Sequence, residues 1–385
     1  MDNNHKINNE LHELKDSTVK SIFFDVLIVY NSDTASSASK PARIRSPFPT
    51  KTHDTYNKAY SYFLEKLHDK NVEAAFSTVD DLLQEGHVKS YWTYENRKWI
   101  KNIKRAYARF IFNKTSSMYI KPSKQWVNFA KGPIIFFTNP EVIKLFLDKY
   151  ETYKRLSDFS LPTILVGKLN KHNLISALSQ LSEISNFDDF VLKDRYGAGG
   201  NNVLKFKRIE KYEEIFNTCK KEAEEDLGKL SFILQPFVDA APIIDRDISN
   251  PSDIRVIYID NQPIQSFVRV AKRGDFRSNT HQGGLLFALP VKKVPEDINL
   301  FAEKILKRLG FTDALFSLDF MKGKNGKIYL IEGNSSPGIT WIKENKDEKT
   351  AALELIDQIV ANIEKRLKNN GNAKNSLTGK LTISV

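Results

Sequence analysis

Cysteine is almost missing from this 385-residue chain, with Cys219 standing alone. A single thiol excludes an internal disulfide and a cysteine-rich zinc site, and makes a reducing, cytoplasmic setting the default expectation. Histidine is sparse as well: the seven present are scattered, with no metal-ligand spacing. No apolar run approaches the roughly 20 residues that a membrane span requires. The opening MDNNHKINNELHELKDS lacks the basic-then-apolar order of a secretion signal. These absences leave an ordinary globular chain, long enough to bury a large core in two or three domains.

Acidic residues are also missing from one long stretch. Basic residues outnumber acids 58 to 47 overall, and from Arg97 to Lys124 there are nine Lys or Arg and no acid. Trp99, Tyr107, Phe110, Phe112 and Tyr119 interleave with them. Such a surface suits an anionic partner, either an acidic peptide or, less readily, nucleic acid. The plainer alternative is an amphipathic helix over 95–112 with its charges solvated, which is the usual case.

The chain is organised as α/β. Residues 1–18 are polar and read as a flexible tail. Phe23–Tyr30 is a strand, 31–54 a long loop rich in Ser, Pro and Thr, 56–70 a helix and 72–78 a second strand, which is the pattern of a parallel α/β unit. Another strand over 133–138 leads through Asn139-Pro140 into one helix, EVIKLFLDKYETYKRLSD. Beyond about residue 150 short strands dominate. They include LPTILVG, FVLKDRY and NVLKFKR, then SFILQPFV, a hairpin turning at Asp260-Asn261, and a second hairpin, ALFSLDFMKG with KIYLIEGN. Helices are expected at 208–227, 296–309 and 347–367, and a loose tail over 368–385.

The second hairpin carries the first chemical signal. Alternate strand residues share a face, so Glu332 and Asn334 project together, with Asp319 near their level on the antiparallel partner. Two carboxylates and a carboxamide without histidine or cysteine are hard oxygen ligands suited to magnesium, which leaves its other positions to water and phosphate. A solvent-exposed acidic hairpin is the plainer alternative, and the apolar neighbours Leu318, Phe320, Leu330 and Ile331 argue against it. A phosphate cradle should then exist elsewhere. In FVLKDRYGAGGNNVLKF, Lys193 ends a strand and Gly197, Gly199 and Gly200 can fold over phosphates. The cluster is neither GxGxxG nor a P-loop, and the strands flanking it suggest a flap.

Together these pieces resemble the ATP-grasp superfamily, specifically its ribosomal-protein-S6 glutamate-ligase-like branch. The resemblance covers about 133–366 and rests most on residues 253–284, LFSLDF (315–320) and LIEGNSSPG (330–338). It implies an N-terminal α/β domain (19–132) preceding a two-subdomain ATP-grasp domain (133–367), with a lid over about 156–235 and a C-terminal subdomain over about 236–367. It implies Asp319, Glu332 and Asn334 as metal ligands, with two magnesium ions for which manganese could substitute. By the same resemblance Lys149 and Lys193 hold ATP phosphates, and Gln235, Pro236, Phe237 and Val238 meet the adenine. Pro236 departs from the acid common at its position, which leaves Asp245 or Asp247 as guesses for the ribose. Arg269 would stabilise the transferred phosphoryl group, with Asn279 nearby, and Asp253, Arg255, Arg277, Gly283 and Gly284 would shape the acceptor end. For Arg269 a mere salt bridge to Asp253 is the rival reading.

The implied activity is ATP- and magnesium-dependent joining of a carboxylate to an amine through an acyl phosphate, the acceptor being an amino acid, peptide or protein. The alternatives are an ATP-grasp kinase acting on a hydroxyl, or a non-catalytic nucleotide-dependent binding protein. A homo-oligomer is compatible with the resemblance; a membrane partner is not expected.

Overall fold

The computed structural model describes residues 22–115, 118, 121–223, 227–242, 251–279 and 282–378, and Asp245 and Asp247 lie outside them. The chain divides into two compact units, residues 1–136 with 364–385, and residues 137–363.

The first unit holds β1 (Ile22–Tyr30), β2 (Ala74–Thr78), β3 (His87–Val88), β4 (Tyr91–Glu95), β5 (Lys98–Asn102), β6 (Ala106–Lys114) and β7 (Ile135–Phe136). They form one sheet in the order β3-β6-β1-β2-β4-β5, with β7 against β6. At its centre β1 runs parallel to β2 and β6, and Val26, Leu27, Ile28 and Val29 are all buried, as expected of a strand covered on both faces. Helix α1 (Thr50–Asp69) begins earlier than the expected loop allows. The remainder of that loop is held in place: Phe48 stacks on Tyr60, and the Asn57 side chain brackets the Phe48 backbone through both its N–H and its C=O.

Residues 95–112 correct the expectation of a helix, because they are β5, β6 and the turns beside them. Asn96 and Arg97 both take positive φ, which closes a two-residue hairpin between β4 and β5. Along β6, Ala106, Ala108 and Phe110 are buried while Tyr107 and Arg109 are half-buried, a period of two. Helix α2 (Lys124–Phe129) follows, capped by Ser123.

In the second unit the single helix expected after Asn139 is two, α3 (Pro140–Leu147) and α4 (Lys149–Arg155). Asp148 breaks them with extended backbone, φ −110° and ψ 102°. Strands β8 (Ile164–Gly167), β9 (Asp189–Asp194), β10 (Val203–Lys207) and β11 (Phe232–Pro236) make an antiparallel sheet ordered β10-β9-β11-β8. Helices α5 (Lys171–Ile184) and α6 (Tyr212–Glu222) supply Leu174, Ala177, Leu181, Ile215 and Cys219 to its core. A further antiparallel sheet, ordered β14-β13-β12-β15-β16, contains β12 (Ser252–Ile259), β13 (Gln262–Val270), β14 (Leu285–Leu289), β15 (Leu315–Lys322) and β16 (Ile328–Asn334). Helix α7 (Glu296–Leu309) packs Ile298, Ala302, Ile305 and Leu309 against it and ends on left-handed Gly310. Helix α8 (Lys346–Thr378) closes the described chain.

Candidate active site

Strand register builds the floor of the site. Glu332 of β16 stands opposite Asp319 of β15, Asp319 opposite Arg255 of β12, and Asp253 of β12 opposite Arg269 of β13. Arg255 is bidentate to Asp319 at 2.7 and 2.7 Å. Arg269 is bidentate to Asp253 at 2.7 and 2.8 Å and also donates to Asp319 at 2.6 Å. Asp319 is 1% exposed and Arg269 4%. Burial opposes both charges, yet two guanidiniums hold the Asp319 carboxyl below its usual range, and two carboxylates hold Arg269 above its own. The rival reading of Arg269 as a partner of Asp253 is therefore true of the geometry, and the same side chain also borders the cleft.

Lysines form the opposite wall. Lys149 opens α4, donates to the Gly197 carbonyl and lies 3.4 Å from Glu332 Oε1. Burial lowers the Lys193 ammonium to about 8; Glu332 opposes the drop and Lys149 adds to it. Above them the glycine turn is latched down, with Gln282 Nε2 donating to Asn201 Oδ1 at 2.9 Å. Gly199 and Gly200 both have positive φ, and a Cβ on Gly200 would sit 2.9 Å from Asn279 Oδ1. Only glycine permits that approach.

One cleft gathers Lys149, Lys193, Gly197, Gly200, Gln235, Pro236, Phe237, Val238, Asp253, Arg269, Arg277, Asn279, Asp319 and Glu332 from the sequence-based set. Others fall outside its lining. Arg255 supports Asp319 from behind, and Asn334 Oδ1 accepts from the Ser336 amide at 2.9 Å. Gly284 is packed where a Cβ would meet the Ser278 carbonyl at 2.3 Å, and Gly283 turns the same loop at φ +84°. The Phe237 amide is committed to the Asp189 carbonyl at 2.9 Å. Sequence reasoning passed over Ser278, which donates to Asp253, and the Gln282–Asn201 latch. Both lie in quoted motifs, but a serine and a glutamine in a loop carry no signal until their partners are known.

A carboxylate offers about four lone-pair sites. Asp319 spends one on Oδ1 and two on Oδ2, so Oδ1 retains one for a cation beside the partly exposed Glu332. The donor set thus fits magnesium through Asp319 and Glu332. Gln235 Oε1, at the cleft, is buried with no hydrogen-bond partner among the described residues, while its Nε2 donates to Thr163 at 2.8 Å.

Antiparallel sheets with a glycine flap over paired lysines and carboxylates define an ATP-grasp protein. The RimK-like ATP-grasp domain model matches residues 168–363, and the chain belongs to that family. Among named relatives, a probable alpha-L-glutamate ligase of Pasteurella multocida (strain Pm70) is 28% identical over 176 residues, 46% of this chain and 48% of that protein. Another so named, from Vibrio atlanticus (strain LGP32), is 33% identical over 144 residues, 37% of this chain and 42% of that one. The chain spans about half the length of the curated relatives it matches. The D-alanyl-alanine synthetase A of Vibrio cholerae O1 biovar eltor (strain N16961) superposes with TM-score 0.55 at 12% identity, covering 90% of this chain and 99% of that one. D-cycloserine synthetase DcsG does so with TM-score 0.53 at 13% identity, covering 89% and 99%. At that identity these likenesses establish the fold alone.

Proposed function

We propose that this protein is an ATP- and magnesium-dependent ligase that joins a carboxylate to an amine through an acyl phosphate, releasing ADP and phosphate. The observation that carries the reading is the convergence of Lys149 and Lys193, from separate elements, on Glu332 beneath a latched glycine turn. Two half-buried cations beside a carboxylate suit the handling of a polyanion.

Within this reading Lys149 and Lys193 hold the phosphate oxygens. Gln235 Oε1 accepts from the amino group of adenine, which satisfies the orphaned acceptor. Asp319 and Glu332 hold magnesium, which when bound would neutralise charge between the phosphates and the incoming carboxylate. Arg269, fixed by Asp253 and Asp319, presents positive charge where the phosphoryl group moves and where the tetrahedral adduct gathers charge. The 197–200 turn excludes water that would hydrolyse the acyl phosphate. Positioning two bound substrates can contribute ~7–11 kcal/mol to lowering a barrier of this kind.

The names of the relatives support an amino acid such as glutamate as the amine substrate. The basic strands after Arg97 suit an acidic peptide as the other substrate. The test is ADP release with magnesium, ATP, glutamate and candidate carboxylate acceptors, with Glu332→Ala as control. Turnover that needs both acid and amine supports the ligase; a phosphorylated alcohol as the only product would replace it with a kinase.

A further inference from the structure

Lys149 and Lys193 are like charges, and neither element alone brings them together. The connection runs through their neighbours. Asp148 caps α4, its Oδ1 accepting from the amides of Tyr150 at 3.0 Å and Glu151 at 3.2 Å. The same carboxylate takes Arg195 in a bidentate pair at 2.7 and 2.6 Å. Arg195 lies two residues past Lys193, and its guanidinium sits over the rings of Tyr150 at 5.6 Å and Tyr196 at 5.2 Å. Its backbone is pinned on both sides: the carbonyl accepts from the Lys149 amide at 3.1 Å, and the amide donates to the Ser231 carbonyl at 2.7 Å.

We propose that Asp148 and Arg195 form a positioning clamp that holds the ammonium groups of Lys149 and Lys193 at the spacing a nucleotide triphosphate needs. The inference rests on the nucleotide reading above and adds two residues that touch neither phosphate nor metal. A planar guanidinium bound through two parallel hydrogen bonds fixes orientation as well as distance, which an ammonium cannot do. The α3–α4 break exists where the clamp needs it, since extended backbone at Asp148 frees its carboxylate to face both the helix amides and Arg195. Mutual repulsion would otherwise part the lysines before ligand arrives, and affinity for phosphate would be spent on reassembling them.

The experiment measures equilibrium binding of MgATP and of adenosine to the full chain. Asp148→Asn keeps a good helix cap while removing the charge, so it separates capping from clamping. The clamp predicts at least tenfold weaker MgATP binding in Arg195→Ala, Arg195→Lys and Asp148→Asn, with adenosine binding unchanged. It also predicts that the double variant Asp148→Asn/Arg195→Ala is no worse than Asp148→Asn alone. Lys144→Ala, at an exposed ion pair on α3, should bind both ligands as the wild type does. MgATP binding within twofold of wild type in Arg195→Ala and Asp148→Asn, or an equal loss of adenosine binding, would overturn the clamp alone. A wild-type chain that binds no MgATP would overturn the nucleotide reading and the clamp with it.

Discussion

At Lys193 stability and ligand binding pull in opposite directions. Burial lowers its ammonium from 10.5 to about 8, so the folded, ligand-free protein carries that charge at a cost near neutral pH. Between those two values the unfolded chain keeps a proton that the folded chain has lost, so the stability contribution rises with pH across that window. Lys193→Met should therefore unfold at higher denaturant than wild type at pH 7, by about 1–2 kcal/mol after discounting for the open cleft. The gap should close only above the unfolded value of 10.5, by about pH 11, and MgATP binding should be lost throughout. Denaturant titrations at both pH values check this; a variant less stable at pH 7 would show that Lys193 is not held against its charge. Gln235 offers a second residue-scale test. Gln235→Leu removes the unpaired acceptor, and competition of ATP with GTP should show at least a tenfold loss of preference for ATP. Unchanged discrimination would mean that the base is read elsewhere.

At the level of elements, β16 depends on one glycine. A Cβ on Gly333 would meet the Phe146 ring of α3 at 2.2 Å, and Phe146 belongs to the core under β12–β15–β16. Gly333→Ala should cost about 1–3 kcal/mol by overpacking, read from urea midpoints at unchanged slope, with Phe146→Leu restoring part of the loss. A neutral Gly333→Ala would show that the ring has room to move. The hairpins that carry Asp319, Glu332 and Arg269 were legible in sequence because each is local: alternating residues, a tight turn, and pairing between neighbours in the chain. Asp260 and Asn261, both at positive φ, turn the β12–β13 hairpin where the sequence placed it. The α3–α4 break was not legible, because the partner that Asp148 meets there, Arg195, is 47 residues away. For strands β5 and β6 the plainer reading was a helix, because aromatics interleaved with basic residues suit an amphipathic helix with solvated charges. Their true period of two is enforced by β4 and β1. Of the site, the charged residues could be placed by motif, whereas the latch and the clamp are partnerships between distant polar side chains that no spacing announces.

For the whole molecule, a cleft that serves as a single polyanion site links ligand binding to stability. MgATP at a hundred times its dissociation constant should stabilise the folded chain by about 2.7 kcal/mol. Glu332→Ala, which loses both the proposed metal ligand and the partner of Lys149, should show little of that shift. Thermal unfolding with and without MgATP reads both, and an equal shift in the variant would separate nucleotide binding from the metal site. The most direct test of the central claim is mass spectrometry of the protein incubated with magnesium, ATP and a cell extract, beside Glu332→Ala. The account predicts ADP together with new species equal in mass to two components joined with loss of water, present with the wild type and absent with the variant. Products that carry only an added phosphate, or the same products from Glu332→Ala, would contradict it.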